Sequence, residues 1–222
     1  MEISYATQPK NDSLLLFFAG WGTTPEVVRH LPLPKGWDYF TAYDYRALPT
    51  TLDIRDDYRR VCLVAWSMGV WAADLLAPLL PTPTTAIAIN GTPIPMHDRY
   101  GIPDDIFRAT LSELTDANRK RFDRRMCGGK KLLSVYESFS ARSTEDLRGE
   151  LQGTYDQVAP MTHYVAPQLH WTKALISEKD LIVPPKNQWH YWHEAGIPIT
   201  ILEGAGHYPL YDFTSWTDLL AR

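Results

Sequence analysis

The chain has 222 residues, 45% hydrophobic and 12% aromatic, enough to bury a full core within the size of one large domain. A formal net charge of −4 argues against a protein built to coat nucleic acid, whose domains run strongly basic. The first residues lack a basic stretch followed by an apolar core, and no apolar run reaches the roughly 18 residues of a membrane span. The two cysteines, Cys62 and Cys127, read as unpaired thiols of a reducing compartment, so a cytoplasmic location is expected.

Residues 14–20 form an apolar run bounded by glycine and too short for most helices, which predicts a strand buried on both faces. Gly20-Trp21-Gly22 follows as a tight loop. Residues 38–43 alternate apolar and polar, and a further strand begins at Val61, after a charged stretch. That strand ends at Ser67, beyond which a helix is expected through Asp74 and Leu76. Residues 85–91, 172–177 and 197–202 supply three more strands, with helical character at 189–195. Strands alternating with helices imply an α/β fold with a doubly wound, mainly parallel sheet, because parallel neighbours need crossover connections.

The rhythm breaks at about 92–168, a span without a convincing strand and too long for a plain loop. Ile106, Phe107, Thr110, Leu111 and Leu114 follow helical spacing, as do Leu147, Leu151, Tyr155 and Val158 behind a capping pair, Ser143 and Asp146. Gly128-Gly129 punctuates the middle. We expect a single domain with a cap of three or four helices inserted here, over the carboxyl ends of the strands, where open α/β sheets bind ligands.

Ala65-Trp66-Ser67-Met68-Gly69 has the layout of a nucleophile elbow, with Ala65 where the full pattern has glycine. A serine needs a base within hydrogen-bond reach and a third group to orient that base. Asp180, just beyond the strand at 172–177, and His207, in Gly204-Ala205-Gly206-His207, supply both in the order serine, acid, histidine. Asp44, after a strand, and Asp212, near His207, remain rival carboxylates. Two N–H donors for an oxyanion are expected at Met68, after the serine, and at Trp21, in the loop after the first buried strand. His190 and His193 stand three apart without a third ligand nearby, so no metal and no cofactor is expected.

These motifs identify a resemblance to the α/β-hydrolases. Ala19-Gly20-Trp21-Gly22 with Ala65-Trp66-Ser67-Met68-Gly69 is similar to the pimeloyl-acyl-carrier-protein methyl ester esterases of biotin synthesis, and among them to the compact BioG-type group. The resemblance implies hydrolysis of the methyl ester that masks the distal carboxylate of a carrier-bound pimeloyl chain. Where that family commonly has His before Gly-Trp-Gly, this chain has Ala19. By correspondence with the caps of related esterases, Phe122 and Met126 are expected to touch the acyl chain.

Arg119 to Lys131 holds seven basic residues and one acidic on a chain of net negative charge. An isolated run of this kind is usually a solvated helix face. In a cap over an active site, Arg119, Arg121, Arg124 and Arg125 would instead steer an acidic partner, which the resemblance identifies as acyl carrier protein. Other carboxylesterase or thioesterase chemistry, or a silent hydrolase-fold binding module, are the alternatives.

Overall fold

The apolar runs become the inner strands of one sheet. In the computed structural model, which describes residues 1–5, 10–139 and 141–222, the strands are β1 (Glu2–Tyr5), β2 (Ser13–Phe18), β3 (Trp37–Tyr43), β4 (Arg60–Trp66), β5 (Thr85–Ile89), β6 (Lys173–Ser177) and β7 (Ile199–Leu202). Their order is β1-β3-β2-β4-β5-β6-β7. β1 runs antiparallel to β3, with Ile3 facing Ala42, and the remaining pairs are parallel. The helices are α1 (Met68–Leu75), α2 (Asp104–Ser112), α3 (Asp116–Cys127), α4 (Lys130–Tyr136), α5 (Thr144–Val158), α6 (Pro185–Glu194) and α7 (Trp216–Leu220). No helix among the described residues is long and apolar enough to cross a membrane.

Successive strand side chains point to opposite faces, so each inner strand feeds two cores. Leu14, Leu16, Phe18 and Leu63 pack with Trp71 of α1 and Trp192 of α6. Leu15, Phe17, Cys62 and Val64 pack on the other face with Trp216 and Leu219 of α7. Cys62 and Cys127 are both free and buried, and burial pushes the Cys127 thiol up to about 12.

Four elements differ from the sequence reading, α7 being a five-residue helix too short to be expected. β1 was not expected, being a four-residue edge strand with one neighbour and too little apolar surface to register. α6 opens at Pro185, earlier than 189, because proline's fixed φ suits the first helical turn. β7 opens at Ile199 and not at 197, since Pro198 has no N–H to give to a ladder.

Between β5 and β6 the chain builds α2 to α5. The Asp146 N–H donates to Ser143 Oγ at 3.1 Å, capping α5, and Gly128 closes α3 in the left-handed region at φ 67°.

Where α1 leaves the sheet it runs so close to β2 that a Cβ at Gly69 would lie 2.3 Å from the Phe18 carbonyl oxygen. Ala65 is different: its methyl sits wholly buried on β4 between Phe18 and Ala88 and belongs to the core. The loss of a glycine there is accommodated as packing. Backbone cannot yield as a side chain does, so Gly69→Ala should lower stability by about 3 kcal/mol or more, the upper end of overpacking costs. Urea unfolding reads this; a midpoint equal to that of the parent would place α1 farther from β2 than the structure does.

Candidate active site

Ser67 lies at the turn from β4 into α1 with φ 58° and ψ −124°, a strained conformation that lifts its side chain off the end of the sheet. Its Oγ is 2.8 Å from His207 Nε2, and His207 Nδ1 is 2.8 Å from Asp180 Oδ2. With the proton on Nδ1, the ring donates to the carboxylate and accepts from the serine hydroxyl. The histidine and aspartate side chains are almost wholly buried.

Asp180 is held from several directions. Its Oδ1 accepts the Ile182 and Val183 N–H groups at 2.8 and 3.0 Å as the chain turns toward α6. Its Oδ2, besides the imidazole, accepts Gln188 Nε2 at 2.9 Å, and the same amide donates to the Val183 carbonyl at 2.8 Å. The loop carrying His207 is fixed through its carbonyl, which accepts Trp66 Nε1 at 2.8 Å and Asn90 Nδ2 at 3.0 Å. Asn90 also receives the Ser177 N–H at 2.7 Å, so it ties the ends of β5 and β6 to that loop. The rival carboxylates are elsewhere: Asp44 pairs with Arg46 and Arg142, and Asp212 is exposed on the turn Leu210–Asp212. On α6, His193 stacks on Trp189 with ring centroids 4.5 Å apart. No group of three His, Cys, Asp or Glu side chains among the described residues is placed to hold a metal ion.

Gln188 and Asn90 were missed by sequence reasoning. Asn90 had a signal, since asparagine before glycine at a strand end suits its positive φ of 48°. Gln188 had none, because a buried glutamine in a helix looks like any other.

In the Gly20-Trp21-Gly22 loop, the Gly22 N–H donates to Glu150 Oε2 at 3.2 Å and the Thr23 N–H to the Gly20 carbonyl at 3.3 Å. The Trp21 N–H has no partner among the described residues. The Met68 N–H is the first of α1 and has no intrahelical acceptor. The hydroxyl and these regions lie in a cavity lined by Trp21, Trp66 and Met68 and, from α2 and α3, by Phe107, Phe122 and Met126. Phe122 meets Trp21 edge to face at 5.1 Å.

The basic run falls on α3 and just after it. Arg121, Arg124 and Arg125 are exposed and line a groove between α2 and α3 that shares Ile106, Thr110, Phe122 and Arg125 with the cavity. Arg119 departs from that set. Its guanidinium is largely buried, donates to the Arg142 carbonyl at 2.6 Å and stands 3.9 Å from Asp123, whose carboxyl burial pushes up to about 6 against the pull of Arg119.

A hydroxyl beside a carboxylate-oriented imidazole, near two unengaged N–H groups in an apolar cavity, can attack a carbonyl carbon. Comparison with known proteins gives this geometry a context. The family model for the pimeloyl-ACP methyl esterase BioG matches residues 1–219. The crystal structure of BioG from Haemophilus influenzae is 38% identical, spans 99% of this chain and 100% of that one, and superposes with a TM-score of 0.89. A malonyl-[acyl-carrier protein] O-methyltransferase of Bacteroides fragilis is 40% identical over 205 residues, covering 90% of this chain but 40% of that longer protein. A lipase-esterase related protein from Clostridium acetobutylicum shares the fold at 15% identity, with a TM-score of 0.62 over 94% of this chain and 93% of its own. The mainly parallel seven-stranded arrangement is an α/β-hydrolase fold.

The strain at Ser67 is measurable apart from any activity. Ser67→Ala and Ser67→Gly both remove the hydroxyl, but glycine alone adopts this φ without a Cβ penalty. The glycine variant should be the more stable by about 1 kcal/mol, read as the difference in thermal or urea midpoints. A more stable alanine variant would contradict the strain.

Proposed function

Because the chain belongs to the pimeloyl-ACP methyl esterase BioG family, we propose that it is a serine esterase that hydrolyses the methyl ester of a pimeloyl chain carried on acyl carrier protein, in biotin synthesis. The observation that carries this reading is the hydrogen-bonded series Ser67, His207, Asp180 opening into an apolar cavity.

In the proposed reaction Ser67 Oγ attacks the ester carbonyl as its proton passes to His207 Nε2. The tetrahedral oxyanion receives the N–H groups of Trp21 and Met68. Collapse expels the methoxy group, which takes the proton from His207 and leaves as methanol. Water then gives a proton to His207 and attacks the acyl-serine, and collapse of the second tetrahedral species returns Ser67 and a free carboxylate. Asp180 keeps the imidazole in the required tautomer and stabilises its cationic form.

The cavity supports a masked substrate. A methyl ester is neutral and suits walls such as Phe122 and Met126, whereas the carboxylate it yields is costly among them, which favours release. The relative from Bacteroides fragilis, whose name describes methylation of a carrier-bound acyl group, supports a methyl ester as the bond broken. In this reading the chain works as one domain with residues 92–168 as its cap. The groove between α2 and α3 admits the acyl arm, and the exposed Arg121, Arg124 and Arg125 receive the acidic carrier. Arg119, turned inward, holds the cap together.

Ser67→Ala should lower kcat on the carrier-bound methyl ester by about 10⁴-fold or more while the fold survives. Retention of more than about a tenth of the turnover would remove Ser67 from the nucleophile's place. A fluorophosphonate probe should label the parent and not this variant.

Reversal of Arg121 and Arg124 to Glu tests the carrier, since neither side chain lines the cavity. Turnover of the carrier-bound ester should fall on the order of tenfold, through slower association, and recover partly as salt screens the charges over about 10 Å. A small neutral ester should be hydrolysed at the parental rate. No loss on the carrier substrate would make this run a solvated face.

A further inference from the structure

Glu150 is a fully buried carboxylate on α5 that takes no part in the steps above. Its Oε2 accepts the Gly22 N–H at 3.2 Å and Arg142 Nη1 at 2.5 Å, and its Oε1 accepts the Tyr45 N–H at 3.1 Å. Nearly one turn earlier on the same helix, the Leu147 carbonyl accepts the Trp21 indole N–H at 3.0 Å. The Leu147 side chain lies over Gly22, where a Cβ would fall 3.1 Å from it, and Gly22 has φ 73°. On the opposite side of the loop the Tyr45 hydroxyl donates to the Ala19 carbonyl at 2.8 Å. The loop from Ala19 to Gly22 is therefore gripped by α5 directly and by Tyr45, which α5 also holds.

Two neighbouring N–H groups, of Trp21 and Gly22, compete to face a developing oxyanion, and a rotation of the peptide plane between donors would exchange them. Glu150 engages the Gly22 N–H and so decides the choice. A bare carboxylate this close would oppose a negative charge forming nearby, and buried charges act strongly on each other. Arg142 answers that, reaching Glu150 while also bonding Asp44 at 2.9 Å and Asp146 at 2.6 Å.

We propose that Glu150, charge-balanced by Arg142, is a positioning residue that fixes the Gly20-Trp21-Gly22 peptide planes for oxyanion binding, so that α5 is a fixed wall of the site and not a moving lid. The proposal rests on the reading of the Trp21 N–H as an oxyanion donor.

The test compares Glu150→Gln, Asp146→Asn and Ser67→Ala in the full chain. Glutamine puts an NH₂ donor against one of the two backbone N–H groups and removes the charge that Arg142 neutralises. Asp146→Asn weakens the same ionic cluster at its outer end without touching the loop. Glu150→Gln should lower kcat about tenfold or more, a fraction of what the loss of a whole oxyanion donor costs, with KM within about twofold. The loss should be equal on a carrier-bound and a small neutral ester, and inhibition by an alkylboronic acid, a tetrahedral mimic, should weaken by a similar factor. Asp146→Asn should leave all of these within about twofold. Parental kcat in a folded Glu150→Gln, or equal losses in both variants, overturns the proposal. If Glu150→Gln does not fold, Arg142→Lys, which keeps the buried charge, should show the same split at about threefold, and parental kcat there overturns it. Activity surviving in Ser67→Ala would instead sink the hydrolase reading itself.

Discussion

At Ser67 the backbone turns from strand to helix in the left-handed region, a conformation that costs about 1 to 3 kcal/mol and persists only where its surroundings enforce it. The enforcement is visible on both sides of the turn. α1 is pressed against the Phe18 carbonyl at Gly69, and the Ser67 carbonyl is met by Gly91, where a Cβ would lie 2.3 Å away. Neither contact leaves room for a side chain, so the turn cannot relax outward or inward. The hydroxyl is thereby held at the end of β4, where the loops following β6 and β7 can converge on it. Distances of 2.8 Å through His207 to Asp180 are the outcome of that confinement.

Around this turn the chain uses arginine and carboxylate in two opposite ways. On α3 the guanidiniums of Arg121, Arg124 and Arg125 point to water, where single pairs are worth little but a cluster attracts an acidic surface. At the root of α5, Arg142 is surrounded by Asp44, Asp146 and Glu150 and has one tenth of its side chain exposed. There the charges are desolvated, and removing one partner leaves another buried and uncompensated. Desolvation raises the Glu150 carboxyl while Arg142 pulls it down. The first group is the one proposed to receive a partner, and the second fixes how the insertion sits on the sheet.

The sequence exposes what repeats or is punctuated, and hides what depends on distant partners. β2, β4 and β5 are legible because a strand buried on both faces is apolar at nearly every position. Ser67 closes the β4 run, while Asp180 and His207 follow the shorter strands β6 and β7. The helices of the insertion show through their spacing, Leu147, Leu151 and Val158 being the buried stripe of α5. β1 and α7 are too short to carry a period. Arg119 and Arg124 look alike in a row of basic residues, and only their surroundings separate an inward guanidinium from an outward one. Glu150 occupies what reads as an ordinary helix position; its importance comes from Gly22 and Tyr45, more than a hundred residues away along the chain.

The strand order also governs how the molecule comes into being. β2, β3 and β4 pair with near neighbours in sequence, and α1 and β5 can join them without waiting for the rest. β6 meets β5 only across the whole helical insertion, with Ile87 opposite Lys173. Closing a loop of that length costs roughly 4 kcal/mol of chain entropy before any contact repays it. Such distant pairings form late. The serine turn thus belongs to the half of the chain that can assemble first, while the acid and the imidazole arrive with β6 and β7. On the proposed mechanism, a nascent or refolding chain carries its strained serine before it carries Asp180 and His207, and is complete for chemistry only with the last docking event.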